Sequence, residues 1–451
     1  MFGSHRHHHP GRELIAIPAI ATLLALASCG AGGSTSQATP TDPGIPGNAY
    51  TPAWAVVTPA EVIRFDYDSG KSNTENGASL RVAVQGLTAG QRLEIGSGTY
   101  SVPSRFSIHL VGSESAPIWI AAQAGANPVI TRPDANQNVM NLDHAEYVSV
   151  EGLELTGGST GFKLYDCSHV RIDGCEIHHT DGVGIAANSA DTEYLVLTRN
   201  HIHDTGGGGG EGMYLGANNS AHVMRYSVIA YNHIHDCSGS QGDGIEVKQG
   251  SYGNLVAYNH VHDTNYPCII AYGTDGNAKN VIEGNICYRS NEAVMQVQGE
   301  AIVRNNLLID GDGGFLSTDH QGQSRELTVV HNTIVTAGRG AYLSRWNGRP
   351  DMVFANNVVY SRDSESIHFS NGSSGVTVSG NVVVGGVSNA AGFVPGNGLS
   401  DFVDLAWDGS RRNAVPTDET IYLGADPQYS VTEDLFGSAR SRSPAAAGCL
   451  D

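Results

Sequence analysis

The feature that most constrains this chain is a five-residue phrase that returns at a wandering interval. Asn200-His201-Ile202-His203-Asp204 recurs as Asn232-His233-Ile234-His235-Asp236 and as Asn259-His260-Val261-His262-Asp263, then decays in Asn285-Ile286-Cys287-Tyr288. Equivalent positions run through Leu153, Cys175, Asn200, Asn232, Asn259, Asn285, Asn306, Asn332, Asn357 and Asn381, with spacings of 22, 25, 32, 27, 26, 21, 26, 25 and 24. Such a period is too short for propeller blades and carries no helical apolar pattern. Each unit instead holds short alternating strands, such as Tyr147 to Val150 and Leu195 to Leu197, separated by Gly, Asn or Asp turns. Parallel stacking at roughly 4.8 Å brings equivalent residues into ladders. An inward Asn can then bond the coils above and below and satisfy turn backbone that would otherwise be buried unpaired. Leucine-rich repeats share the period, but they need regularly spaced leucines that are missing here. The expectation is an all-β chain: a single-stranded, right-handed parallel β-helix of about ten to twelve coils with N- and C-terminal caps.

The flanks divide accordingly. Arg6 and Arg12 precede an apolar run from Leu14 to Ala27, the length of a signal-peptide core and short for a membrane span. The run ends in Leu26-Ala27-Ser28-Cys29-Gly30, which resembles a bacterial lipobox with Cys29 as the lipidated residue. Residues 1–29 are therefore expected to be a lipoprotein-type signal peptide and residues 30–49, small, polar and proline-containing, a flexible tether. That places the protein outside the cytoplasm, in a bacterial cell envelope, held at a membrane or cell surface only through lipid. His5 and His7 to His9 would leave with the signal. Residues 50–137 are expected to form the N-terminal cap and first strands, with a short helix at 79–85; residues 138–389 the repeats; and residues 390–451 a C-terminal cap. A stack of open strands needs such caps over its end faces.

Composition narrows the partners. Glycine is 57 of 451 residues, charged residues are 16%, and the formal net charge is −20. Many turns and uncharged strands fit the first two figures, and the charge argues against nucleic acid or an anionic membrane face. Export permits disulfides among Cys167, Cys175, Cys237, Cys268, Cys287 and Cys449. Cys237 with Cys268 is the leading pair, since both fall near turns of neighbouring repeats, while Cys175 and Cys287 read as packed inward thiols.

Function must come from side chains that point out of such a scaffold. The strand after each Asn turn aligns through inward Met213 and Leu215, Ile245 and Val247, and Ile269 and Ala271. Its outward residues are then Tyr214 and Gly216, Glu246 and Lys248, and Ile270 and Tyr272. Lys248 would lie one coil from Tyr272, with Gly216 leaving space on its other side. Glu211 and Asp243 occupy equivalent positions just before these strands, and Asp204, Asp236 and Asp263 stack at the preceding turn. Acidic groups converging from neighbouring coils, with Glu211, Asp243 and Asp236 as the candidate ligands, suit Ca²⁺, which takes oxygen donors in flexible geometry. The two outward His columns, His201, His233, His260 and His203, His235, His262, are read first as a repeated surface consensus, with transition-metal binding as the sharper alternative.

The segment Asp243-Gly244-Ile245-Glu246-Val247-Lys248, with an outward carboxylate one coil earlier and a proton donor one coil later, resembles the active-site region of polysaccharide lyase family six. The resemblance implies a β-helix enzyme in which Glu211 and Asp243 hold Ca²⁺ against a uronate carboxylate and Lys248 removes the adjacent proton. Two residues depart from that pattern: Tyr272 falls where the family has an assisting Arg, and Gln241 where it tends to have another acidic ligand. Lyases of family nine share a similar Asp-to-Lys spacing. The leading expectation is a surface-anchored lyase cleaving an acidic polysaccharide, with Lys248 and Tyr272 catalytic and Tyr214, Glu246, His235 and His262 contacting substrate. The alternatives are a non-catalytic lipoprotein that binds glycan through the outward ladders, and a glycoside hydrolase or epimerase on the same scaffold.

Overall fold

The computed structural model describes residues 50–443 and 445–451. The signal peptide, the tether and Cys29 lie outside these residues. Among those described, thirteen successive strands stack in one sheet from Glu61–Phe65 to Thr377–Ser379, each paired with the next. The pairings are parallel throughout, as in Ser168–Asp173 on Glu146–Glu151 and Val228–Ala230 on Val196–Thr198. A second, bent sheet holds the remaining strands of each coil, so the chain winds as one parallel β-helix of about twelve turns. Stacking begins before residue 138, because Gln91–Ile95 and Ile118–Ala122 already sit in register below Glu146–Glu151.

The Asn ladder is the spine of one corner. From Asn200 to Asn357, each Asn backbone N–H donates to the Oδ1 of the next Asn at 3.0 Å. Each amide Nδ2 donates to the same oxygen at 2.9–3.0 Å. The Nδ2 groups also reach backbone carbonyls across the turn, as from Asn259 to Ile229 at 2.9 Å. The residue before the Asn takes a left-handed conformation, for example Arg199, Tyr231 and Tyr258, and the amide supplies the bonds this bend denies the backbone. Cys175, with no amide, still uses its N–H on Asn200 Oδ1 at 3.1 Å. A shorter ladder, Ser227–Asn254–Asn280, serves another corner by the same geometry.

The N-terminal helix is longer than the sequence suggests, Asn73–Gln85, because Ser72 and Glu75 close a capping box at its start. Its Leu80 and Val84 are fully buried in the core, so the helix covers the open end of the first coil. Gly77 is required there, since a Cβ would stand 2.0 Å from the Ser101 carbonyl oxygen.

Residues 390–451 follow the last coil. The last residues fold back along the flank, where Phe402, Leu405, Ile421 and Ala446 pack on outward Leu307, Ile309, Val335 and Val358. The tail reaches as far as Asn305, whose Nδ2 donates to the Glu433 carbonyl at 2.8 Å. The Cys237–Cys268 disulfide is corrected. All six cysteines in the described residues are free and buried; Cys167, Cys175, Cys237, Cys268 and Cys287 lie in the central core as small apolar groups, and Cys449 packs with the tail.

Candidate functional site

Met213, Ile245 and Ile269 pair in register, as do Leu215, Val247 and Ala271. Tyr214, Glu246 and Ile270 therefore alternate outward, and Gly216, Lys248 and Tyr272 follow at the strand ends. A Cβ on Gly216 would approach Lys248 Cβ at 3.1 Å, so the glycine does leave room for the lysine. Glu211 and Asp243 stand at equivalent positions of adjacent coils, as expected.

Outward does not mean exposed here. Glu211, Asp243, Glu246, Lys248 and Tyr272 are each no more than 5% accessible. Segment 318–323, which no repeat announces, covers the Tyr272 end of this group. His320 places its ring 5.5 Å from the Tyr272 ring, and Gln321 Nε2 donates to Asn218 Oδ1 at 3.3 Å, a contact spanning 103 residues. Asp319 pins the segment by accepting from Arg349 Nη2 at 2.9 Å and from the Ser324 N–H at 2.8 Å.

Carboxylate oxygens of Glu211, Asp243 and Glu246 lie within 4.8 Å of one another. Lys248 Nζ donates to Glu246 Oε1 and sits over the Tyr214 and Tyr272 rings, 4.5 and 5.4 Å from their centroids. Glu211 Oε2 and Asp243 Oδ1 have no hydrogen-bond partner among the described residues. Burial raises Glu211 from 4.5 to about 7, with the Glu246 charge adding to the rise. Burial and the neighbouring Glu246 and Glu211 push Asp243 up, and burial raises Glu246 against the pull of Lys248. The Tyr272 hydroxyl is raised by burial and by Glu246, so it keeps its proton. An all-oxygen set with two orphaned oxygens fits a hard cation, which Glu211 and Asp243 would hold with Glu246 in reach.

Asp236 does not join this group. Its left-handed turn, shared by Asp204 and Asp263, directs the carboxylate to the preceding imidazole, where Asp236 Oδ2 accepts from His235 Nδ1 at 2.7 Å. His235 and His262 lie in the histidine columns, stacked with ring centroids 5.0 Å apart. Alongside runs a groove of about 1110 Å³, lined by Asp204, Asp236, Asp263, Arg289, Asp310 and Asp312 among others. In it Arg289 holds Asp263 down to about 2, while burial and Asp408 raise Asp310. Lys248 and the buried carboxylates do not line this groove.

Stacked coils, an inward Asn ladder and a side-chain cluster on one flank define a protein of the parallel β-helix class. Residues 134–280 and 273–383 match the right handed beta helix region family, over half of the 451 residues, and the chain belongs to that family. No curated protein matches it. Among solved structures, XylC in complex with xylose is 11% identical, covering 86% of this chain and 98% of that one, with a TM-score of 0.53. Pectate lyase Pel9A is 17% identical over 88% and 97% of the two chains, with a TM-score of 0.48. An alginate lyase from Paenibacillus sp. str. FPU-7 is 17% identical over 74% and 98%, with a TM-score of 0.43.

Proposed function

We propose that the protein is a polysaccharide lyase acting on an acidic, uronate-containing chain, exported and lipid-anchored through Cys29. The observation that carries this reading is the single buried cluster in which Lys248, Tyr272 and the orphaned oxygens of Glu211 and Asp243 meet. Ca²⁺ held by Glu211 and Asp243 would neutralise the uronate carboxylate and acidify the adjacent C–H. Lys248 is the base. Its Nζ lies over the Tyr214 and Tyr272 rings, beside the carboxylates that would hold the cation, where it would take up the proton of the acidified C–H. Tyr272, protonated and one coil away, donates to the leaving oxygen in place of the arginine of family six. Tyr214 packs beneath the lysine and orients it, and segment 318–323 must lift for a chain to enter.

A second reading rests on the open groove. Asp263 and Asp310 have acidities pushed in opposite directions, the division of labour that glycoside hydrolysis requires of two carboxyl groups. One experiment separates the two readings: incubation with alginate, pectate and glycosaminoglycans, with Ca²⁺ or with chelator. The lyase reading expects an unsaturated uronate absorbance that chelator abolishes. New reducing ends without unsaturation would replace it with the hydrolase reading, and binding without any product would replace both.

A further inference from the structure

The histidine columns hold chemistry that the lyase reading leaves unused. Strands His201–Thr205, His233–Cys237 and His260–Thr264 stack in register, so His201, His233 and His260 form one outward column and His203, His235 and His262 another. Beyond His260 and His262 the columns continue through Ile286 and Tyr288, then Leu307 and Ile309, and the folded-back tail packs against these. At the other end Glu176 and His178 precede His201 and His203. A repeated surface consensus explains the stacking, with planes 6° apart for His201 on His233 and for His203 on His235. It does not explain the contacts between columns. His201 Nε2 stands 2.8 Å from His235 Nε2, and one coil on His233 Nε2 stands 2.9 Å from His262 Nε2.

Two ring nitrogens at that distance share a proton, and opening the pair by about 0.5 Å gives the separation of two imidazole ligands on a tetrahedral zinc-type ion. Asp236 Oδ2 binds His235 Nδ1 at 2.7 Å, which keeps the proton on Nδ1 and aims the Nε2 lone pair at His201. His201 Nδ1 in turn faces Glu176 Oε1 at 3.8 Å, so its proton has a carboxylate to move towards when Nε2 becomes a donor. A carboxylate behind a ligating imidazole is the usual support of a histidine–metal bond. Ligand nitrogens of His201, His233 and His235 all lie within 4.8 Å of one another.

We propose that His201, His233 and His235 bind a divalent transition-metal ion of the zinc type, at a site separate from the oxygen cluster under segment 318–323. Three imidazoles suit a borderline-soft ion and leave a fourth tetrahedral position for water or a ligand. The site joins two coils beside the acidic groove, which it would rigidify.

The test is Co²⁺ titration of the full chain, with His5, His7, His8 and His9 replaced by serine, followed by the visible bands of nitrogen-bound cobalt and by Zn²⁺ displacement. One equivalent should bind, excess Ca²⁺ should not displace it, and the His201→Gln/His235→Gln double variant should lose it. Asp236→Asn, at an exposed side chain, should weaken binding about 10–100-fold with an unchanged circular dichroism spectrum. No uptake, equal uptake by a folded double variant, displacement by Ca²⁺ or unchanged affinity in Asp236→Asn would each overturn the proposal.

Discussion

Replacing Glu211 by Gln should make the protein more stable at alkaline pH, although Glu211 belongs to the proposed site. Its carboxyl is raised from 4.5 to about 7 in the fold, and its side chain is almost fully buried. A folded pKa above the unfolded one means that the folded state holds the proton more tightly. The associated stability is complete below about pH 4.5 and is lost as pH rises towards 7. A tenfold difference in proton affinity between the folded and unfolded states corresponds to about 1.4 kcal/mol, so ionised Glu211 costs the fold on the order of 3 kcal/mol at pH 8. Glutamine fills the same volume without the charge. Urea unfolding at pH 5 and pH 8, with an unchanged m-value, should show the wild type losing stability and Glu211→Gln losing about 3 kcal/mol less. Added Ca²⁺ should restore the wild type at pH 8 and leave the variant nearly unaffected, because a ligand that binds only the folded state stabilises it. Identical pH profiles for the two proteins would refute the electrostatic account of the cluster.

Three further outcomes follow from the same structure. Asn259→Ala leaves the Asn232 N–H and the Ile229 carbonyl without their side-chain partners, so it should cost roughly 2–6 kcal/mol in urea unfolding. The six thiols in the described residues should resist a thiol reagent in the native protein and react on denaturation, since burial raises Cys237, for one, to about 12. Lys248 should escape amine labelling that modifies exposed Lys71, and deletion of 318–323 should expose it, both read by peptide mass mapping.

The coiled fold was legible because its cause is periodic: an Asn that must bond both neighbours recurs wherever the chain turns. The outward register of Tyr214, Glu246, Lys248 and Tyr272 followed from strand alternation anchored on that ladder. What escaped had no period. Segment 318–323 reaches Asn218 and Tyr272 across the stack through contacts that no repeat announces. The path of the tail is not legible, because its apolar partners, such as Leu307 and Ile309, alternate with core residues in strands that read as buried on both faces. Asp236 was grouped with Glu211 and Asp243 by its place in the repeat, but a left-handed turn sends its carboxylate to His235. The Cys237–Cys268 pairing fails on register, since Cys237 stands opposite Thr264 on the next coil.

The central claim is that Lys248 removes the proton that opens a uronate-containing chain. It is tested most directly by the rate of unsaturated uronate formation, in Ca²⁺ and on the best substrate of the panel, for the wild type and Lys248→Ala. The account predicts a wild-type rate that falls by roughly 10²–10⁴-fold in the variant while its circular dichroism spectrum is unchanged. A variant that forms product at the wild-type rate, or a wild type that forms none on any acidic polysaccharide, would contradict it.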